Sequence, residues 1–361
     1  MKQIFLRDRV RYLWILGDLA VIAAFYGTRY QRALMNAVAD GMTGPLKRAL
    51  GAVCAVVPFS VGEVLIGLSL AALAVYLVWL GFTLFRRRWR LLYVGILRLA
   101  CVLLTLYAAL CLLWGVNYHT DRFQDRSGLY AAAVDPQQLE TVTMAYADTL
   151  NRLSGQVARD DNGVFAVPRE EIYADAPAIY RGAETVYPFL RMKDHVPKRV
   201  FFSRLMSRGN FTGLFFPFTG EANLNDDSPA CLLPATIAHE MAHQRGFASE
   251  QECNFIAVLA CEKSGNPVYA YSGALFGFIH LSNALHQADS AAWEEIHRGL
   301  NAQVRADLSD NNAYWAQFES KTAEVSQDVY DSFLKSNGEE SGIESYGEVV
   351  ELLAAWYRQE H

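Results

Sequence analysis

His239, Glu240 and His243 form a His-Glu-x-x-His pattern within residues 238–243, Ala-His-Glu-Met-Ala-His. Three side chains at this spacing suit hydrolysis by a metal-activated water. On a helix with 3.6 residues per turn the two histidines lie one above the other on a single face. Both imidazoles can then reach one cation at Zn–N distances of about 2.0–2.1 Å. Glu240 stands beside them, where it can take a proton from the attacking water and deliver it to the leaving amine. The expected cofactor is one Zn2+ per chain, which imidazole and carboxylate donors in this arrangement favour.

A hydrolytic zinc site needs a third protein ligand and an open position. Glu250 and Glu252 follow at the start of a second apolar-periodic run, residues 255–260, opened by Ser249. Glu250 and Asn254 are four apart and share a helix face, so Asn254 could hydrogen-bond a ligating histidine and fix its tautomer. That favours Glu250. Glu252 is the alternative ligand, but Ser249 and Glu252 also have capping-box spacing, in which the acid reaches back to the cap amide.

The elements that must hold these groups are two helices. The run 232–238 reads as the first turns of a buried helix, with Pro234 near its start, where proline is tolerated. Gly246 is spaced to stop that helix and Ser249 to start the next. Residues 136–153 and 170–192 carry helical periodicity, as does the long run 268–334, with breaks near 288–290 and a turn at 309–312. The exceptions are 199–203 and 211–218, aromatic-rich and bounded by Gly and Asn, which read as strands. Pro217 confines the second to a sheet edge or cleft rim. Such an edge would let a peptide add on by main-chain hydrogen bonds, with Phe216 and Phe218 lining the cleft; packing or a membrane-facing surface explains a phenylalanine cluster equally well. Asn223 and its neighbours Asn225, Asp226 and Asp227 either shape that cleft or form a turn. Tyr269 and Tyr271 are candidate oxyanion-stabilising hydroxyls. His280, on an apolar helix, reads as a core histidine.

Of the 361 residues, 52% are hydrophobic and 19% charged, with the imbalance concentrated in the first third. Residues 64–85 lack any charge for 22 positions, enough to cross about 30 Å of hydrocarbon, and residues 99–116 are also uncharged. A third span, about 12–26, is interrupted by Asp18. The expectation is a three-span anchor over 1–118 and a hydrolase domain over 119–361, mainly α with a small β element. Arg86, Arg87, Arg88 and Arg90 between the two strong spans place that loop in the cytoplasm, and the C-terminal domain on the outer face of the membrane. The partners are then the lipid bilayer and a peptide or protein substrate. A net charge of −6 argues against nucleic acid. The six cysteines lack CxxC spacing and read as small buried hydrophobes. Oligomeric state leaves no trace in the sequence.

The chain resembles the bacterial membrane proteins of domain-of-unknown-function family 3810. The resemblance runs through Pro58-Phe59-Ser60, Trp114-Gly115-Val116-Asn117-Tyr118-His119 and residues 216–223, then residues 239–246 and 250–255, to Ser345-Tyr346-Gly347. It implies membrane helices followed by a gluzincin-like α+β metallopeptidase domain. In such a domain a Glu from a following helix completes the zinc site, which maps the ligand to Glu250 and its supporting residue to Asn254. Cys253 stands where Ala is usual and Ser249 where Arg is usual, and neither is expected to touch a ligand. The resulting expectation is a membrane-anchored zinc peptidase. A non-hydrolytic peptide-binding or sensory protein and a hydrolase of cell-wall amides are the alternatives.

Overall fold

Three apolar helices, Lys2–Thr28, Val61–Phe85 and Trp89–Leu113, dominate the first third of the chain, and each contains a stretch long and apolar enough to cross a membrane. The computed structural model describes residues 2–336 and 346–361, so Ser345 of the last resembling segment lies outside the described residues. The first helix exceeds the expected 12–26, with its apolar stretch running over Asp8–Thr28. Asp18 is accommodated there because Thr105 of the third span donates to its Oδ2 at 2.7 Å, and Trp14 in turn donates to Thr105 at 2.8 Å. The third helix starts ten residues earlier than the expected 99, so Arg90 and Arg98 lie within it. Between the first two spans the chain forms short helices, Arg32–Val38 and Gly44–Cys54, that the periodicity did not indicate.

The remaining helices pack around one apolar core. Helix Pro136–Leu153 lies where expected, and the break after Ala288 separates Pro267–Ala288 from Ser290–Gly299. The stretch 170–192 is broken into Arg169–Asp175 and Arg181–Val186, with Pro177 and Pro188 opening 3-10 turns beside them. The expected turn at 309–312 lies inside helix Ala302–Ala316, because Leu300 ends the preceding helix and Asn301 caps this one. The helix Leu233–Gln244 carries the His-Glu-x-x-His residues, with Pro234 in its first turn and Gly246 just beyond it at φ 96°. Gly246 adopts the left-handed conformation that ends helices. The next helix, Glu250–Lys263, is buried on every side from Phe255 to Cys261, so it is a core element and not an amphipathic surface helix.

One small sheet is ordered β1-β3-β2, with β1 Lys198–Arg199, β2 Gly213–Phe216 and β3 Glu221–Leu224. β1 runs parallel to β3, while β2 is antiparallel to it, pairing Gly213 with Leu224 and Phe216 with Glu221. The strand expected over 199–203 is thus only two residues long, and Ser203–Arg208 is a helix. The second expected strand narrows to β2, which does lie at an edge, with Pro217 in the turn that follows. β3 is not indicated by the sequence, and it includes Asn223, which reads as a cleft or turn residue.

This sheet is fastened to the second span. Glu221 accepts the amides of Val61 and Gly62 at 3.2 and 2.8 Å, satisfying donors that a helix N-terminus leaves open. Ser60, the cap of that span, donates to Asn223 at 2.6 Å, and Glu63 in its first turn accepts the amides of Phe201 and Phe202. Phe216 covers Gly62 so closely that a Cβ there would lie 2.9 Å from its ring.

Candidate metal centre

Helix geometry stacks His239 and His243 with ring centroids 4.8 Å apart. Glu250, the first residue of the next helix, faces both: its carboxylate oxygens lie 3.1 Å from His239 Nε2 and 3.6 Å from His243 Nε2. One ligand atom from each residue falls within 4.8 Å of the others. Donors around a tetrahedral ion bound at roughly 2.1 Å stand about 3.4 Å apart, and the two carboxylate–imidazole separations, 3.1 and 3.6 Å, match that spacing. His243 Nδ1 lies 2.8 Å from the Phe247 carbonyl, which makes Nδ1 the protonated nitrogen and leaves the Nε2 lone pair for a cation. Trp114 meets the His243 ring edge to face at 5.4 Å.

Glu240 is buried, and its carboxylate rests against Gly213 of β2, where a Cβ would lie 2.4 Å from Oε1. Burial pushes its carboxyl up to about 8, with His239 and the Phe215 backbone pulling down and Glu250 pushing further up. A cation between the histidines would draw it down again. Burial also opposes ionisation of Glu250, yet the two facing imidazoles outweigh it and hold that carboxyl well below the ordinary range.

Glu252 does not join this group. Its side chain accepts the Phe123 amide at 2.6 Å on another face of the helix, burial raises its carboxyl to about 8, and the expected capping box with Ser249 does not form. The partners of His243 Nδ1 are Phe247 and Cys253, whose Sγ is 3.2 Å away, and not Asn254. The departure at position 253 therefore touches His243, one of the candidate ligands, against expectation. Tyr269 and Tyr271 are buried away from the site, donating to the Ile172 carbonyl and to Asp307. Asn223 serves the clamp on the second span and donates to the backbone oxygens of Leu214 and Glu221. Asn225 stabilises a turn, accepting the Asp227 amide. Phe216 and Phe218 pack against each other at 5.5 Å, and the Phe216 ring covers Gly62 of the second span. His280 sits beside Phe276, and burial lowers it to about 4, which keeps it neutral.

Two participants were not singled out by the sequence. Tyr330, on helix Lys321–Ser336, donates to Glu250 Oε1, across 80 residues of chain that no local pattern links. Lys47, on helix Gly44–Cys54, is buried with its Nζ 5.6 Å from the Trp114 ring and 5.2 Å from the Phe215 ring. Burial, assisted by Arg48, lowers its ammonium to about 7. A lysine in an otherwise unremarked interspan segment carries no sequence signal of such burial.

A family model described as a protein of unknown function (DUF3810) matches residues 40–354, so the chain belongs to that family. Searches of curated proteins and of solved structures each returned no match.

Proposed function

We infer that this member of the DUF3810 family is a membrane-anchored, zinc-dependent peptidase with a gluzincin-like site. The observation that carries this reading is that two imidazole Nε2 atoms and the Glu250 carboxylate converge, while a separate buried acid, Glu240, stands beside them. His239, His243 and Glu250 would hold the ion, which supplies Lewis acidity toward a carbonyl and a water. Glu240 takes the proton of the attacking water and hands it to the departing amine, from a buried position directly beside His239. Trp114 and Phe215 wall the His243 side with aromatic surface, excluding water and strengthening the electrostatics within. Three apolar helices and the arginines at 86–88 support a multi-pass protein of a bacterial cytoplasmic membrane with this site on the outer face.

The test is zinc content together with hydrolysis of a mixed peptide library. Wild type is expected to hold one zinc and cut peptides, Glu240→Gln to keep the metal without cutting, and His243→Ala to lose both. Zinc without cleavage would favour a binding protein or a hydrolase of another amide; no zinc in wild type would overturn the reading.

A further inference from the structure

The two spans that reach the domain end at the metal centre. Trp114 directly follows Leu113, the last residue of the third span, and its ring packs on His243. On the other side, Phe216 lies on Gly62 in the first turn of the second span, and three residues back along β2 Gly213 lies on Glu240. Three steps of strand cover about 10 Å. The reacting carboxyl is therefore about that far from the start of one span and one aromatic contact from the end of another.

A 25-residue helix is about 37 Å long, somewhat more than a hydrocarbon core of about 30 Å, so the span ends stand at headgroup level. The adjoining surface agrees. Phe201 and Phe202 hang from Glu63 of the second span by their amides, with 85% and 60% of their surfaces exposed, and Leu205 beside them is 66% exposed. Large apolar side chains left bare at the base of a span suit the bilayer interface, where they need no protein partner.

We propose that the substrate of this site is a polypeptide tethered to the bilayer and cut within a few residues of its anchor. The proposal rests on the peptidase reading above. A folded soluble protein cannot bring its backbone to headgroup level without lying on the membrane, whereas a chain leaving the bilayer spans about 10 Å with about three extended residues. An N-terminal acyl lipid and a transmembrane helix provide the same geometry.

The experiment uses the full-length protein in phosphatidylcholine–phosphatidylglycerol vesicles and one mixed-sequence peptide library presented in four forms. These are free, joined to a palmitoyl anchor by a spacer of about three residues, joined to it by one of about thirty, and fused at about three residues to a transmembrane helix. At least one short-tethered form should be cut roughly tenfold faster than the long-tethered form, whose local concentration is also raised, and the faster of the two short arms identifies the anchor. Equal or faster cutting of the free and long-tethered forms overturns the proposal and leaves the peptidase reading standing. Failure to cut any form by zinc-loaded protein overturns both. Independently of turnover, a spin label at Leu214→Cys, an exposed position on β2, should be relaxed by lipid-soluble oxygen. Relaxation only by an aqueous nickel chelate would contradict it.

Discussion

Gly213 and Glu240 share one space: the carboxylate of the acid occupies the volume that any side chain at 213 would need. The absence of a Cβ on β2 sets where the Glu240 carboxyl stands relative to His239 and His243 on the same helix. Gly213→Ala is therefore expected to displace the Glu240 carboxyl and lower peptide turnover about 100-fold, the usual cost of misplacing a reacting group by about 1 Å. Zinc content should be unchanged, since none of the three ligands moves. Turnover and metal analysis on the same preparation check both halves.

Tyr330 orients the Glu250 carboxylate from a helix distant in sequence. Removing the hydroxyl in Tyr330→Phe leaves the carboxylate without that restraint, and zinc affinity is expected to fall about 10–100-fold. Competition with a chelating indicator measures it. Unchanged affinity would mean that the hydroxyl contributes nothing to ligand placement.

Lys47 makes stability depend on pH in a predictable direction. Its folded value, about 7, lies below the 10.5 of an unfolded lysine, so between these values the unfolded chain binds more protons. Stability then rises with pH across that window, and the cost of burying the amine is largest at and below its lower edge. Lys47→Met is expected to raise the melting temperature by several degrees at pH 7, with the gap to wild type closing as pH approaches 10.5. Thermal unfolding of the two proteins in detergent at three pH values follows the gap.

Sidedness has its own check. Ser309 is exposed on helix Ala302–Ala316, and the native cysteines are buried or half-buried. Ser309→Cys should react with a membrane-impermeant maleimide in intact spheroplasts. Labelling only after lysis would reverse the orientation.

The centre of the site was readable because its information is local. His239, Glu240 and His243 occupy one helical turn, and Glu250 opens the next helix just after Gly246 ends theirs, so helix period and the turn at Gly246 bring them together. The spans were readable for a similar reason, since length without charge is a property of a window. What escaped depends on contacts between distant segments. β3 does not read as a strand because its Asn and Glu side chains find partners on the second span instead of in water. Tyr271 has a hydroxyl suited to the site, but it is spent on Asp307, 36 residues further along the chain. Asn254 has the spacing of a supporting residue, but the Phe247 carbonyl arrives first at the His243 ring.

The clamp of Glu221 and Asn223 on the second span also governs the order in which the molecule can be assembled. Until that helix is in place, the Glu221 carboxylate and Asn223 Oδ1 lack the donors they meet in the folded protein, a deficit of about 1–3 kcal/mol for each group left unmet in a buried setting. β3 lies at the centre of the sheet, so its neighbours inherit the delay. During biosynthesis the anchor emerges first and can wait in the lipid as a template, and the sheet against the candidate site matures only when it has landed there. A C-terminal fragment made alone would lack its mould, and the sheet beside Glu240 would form only once the chain has reached its membrane.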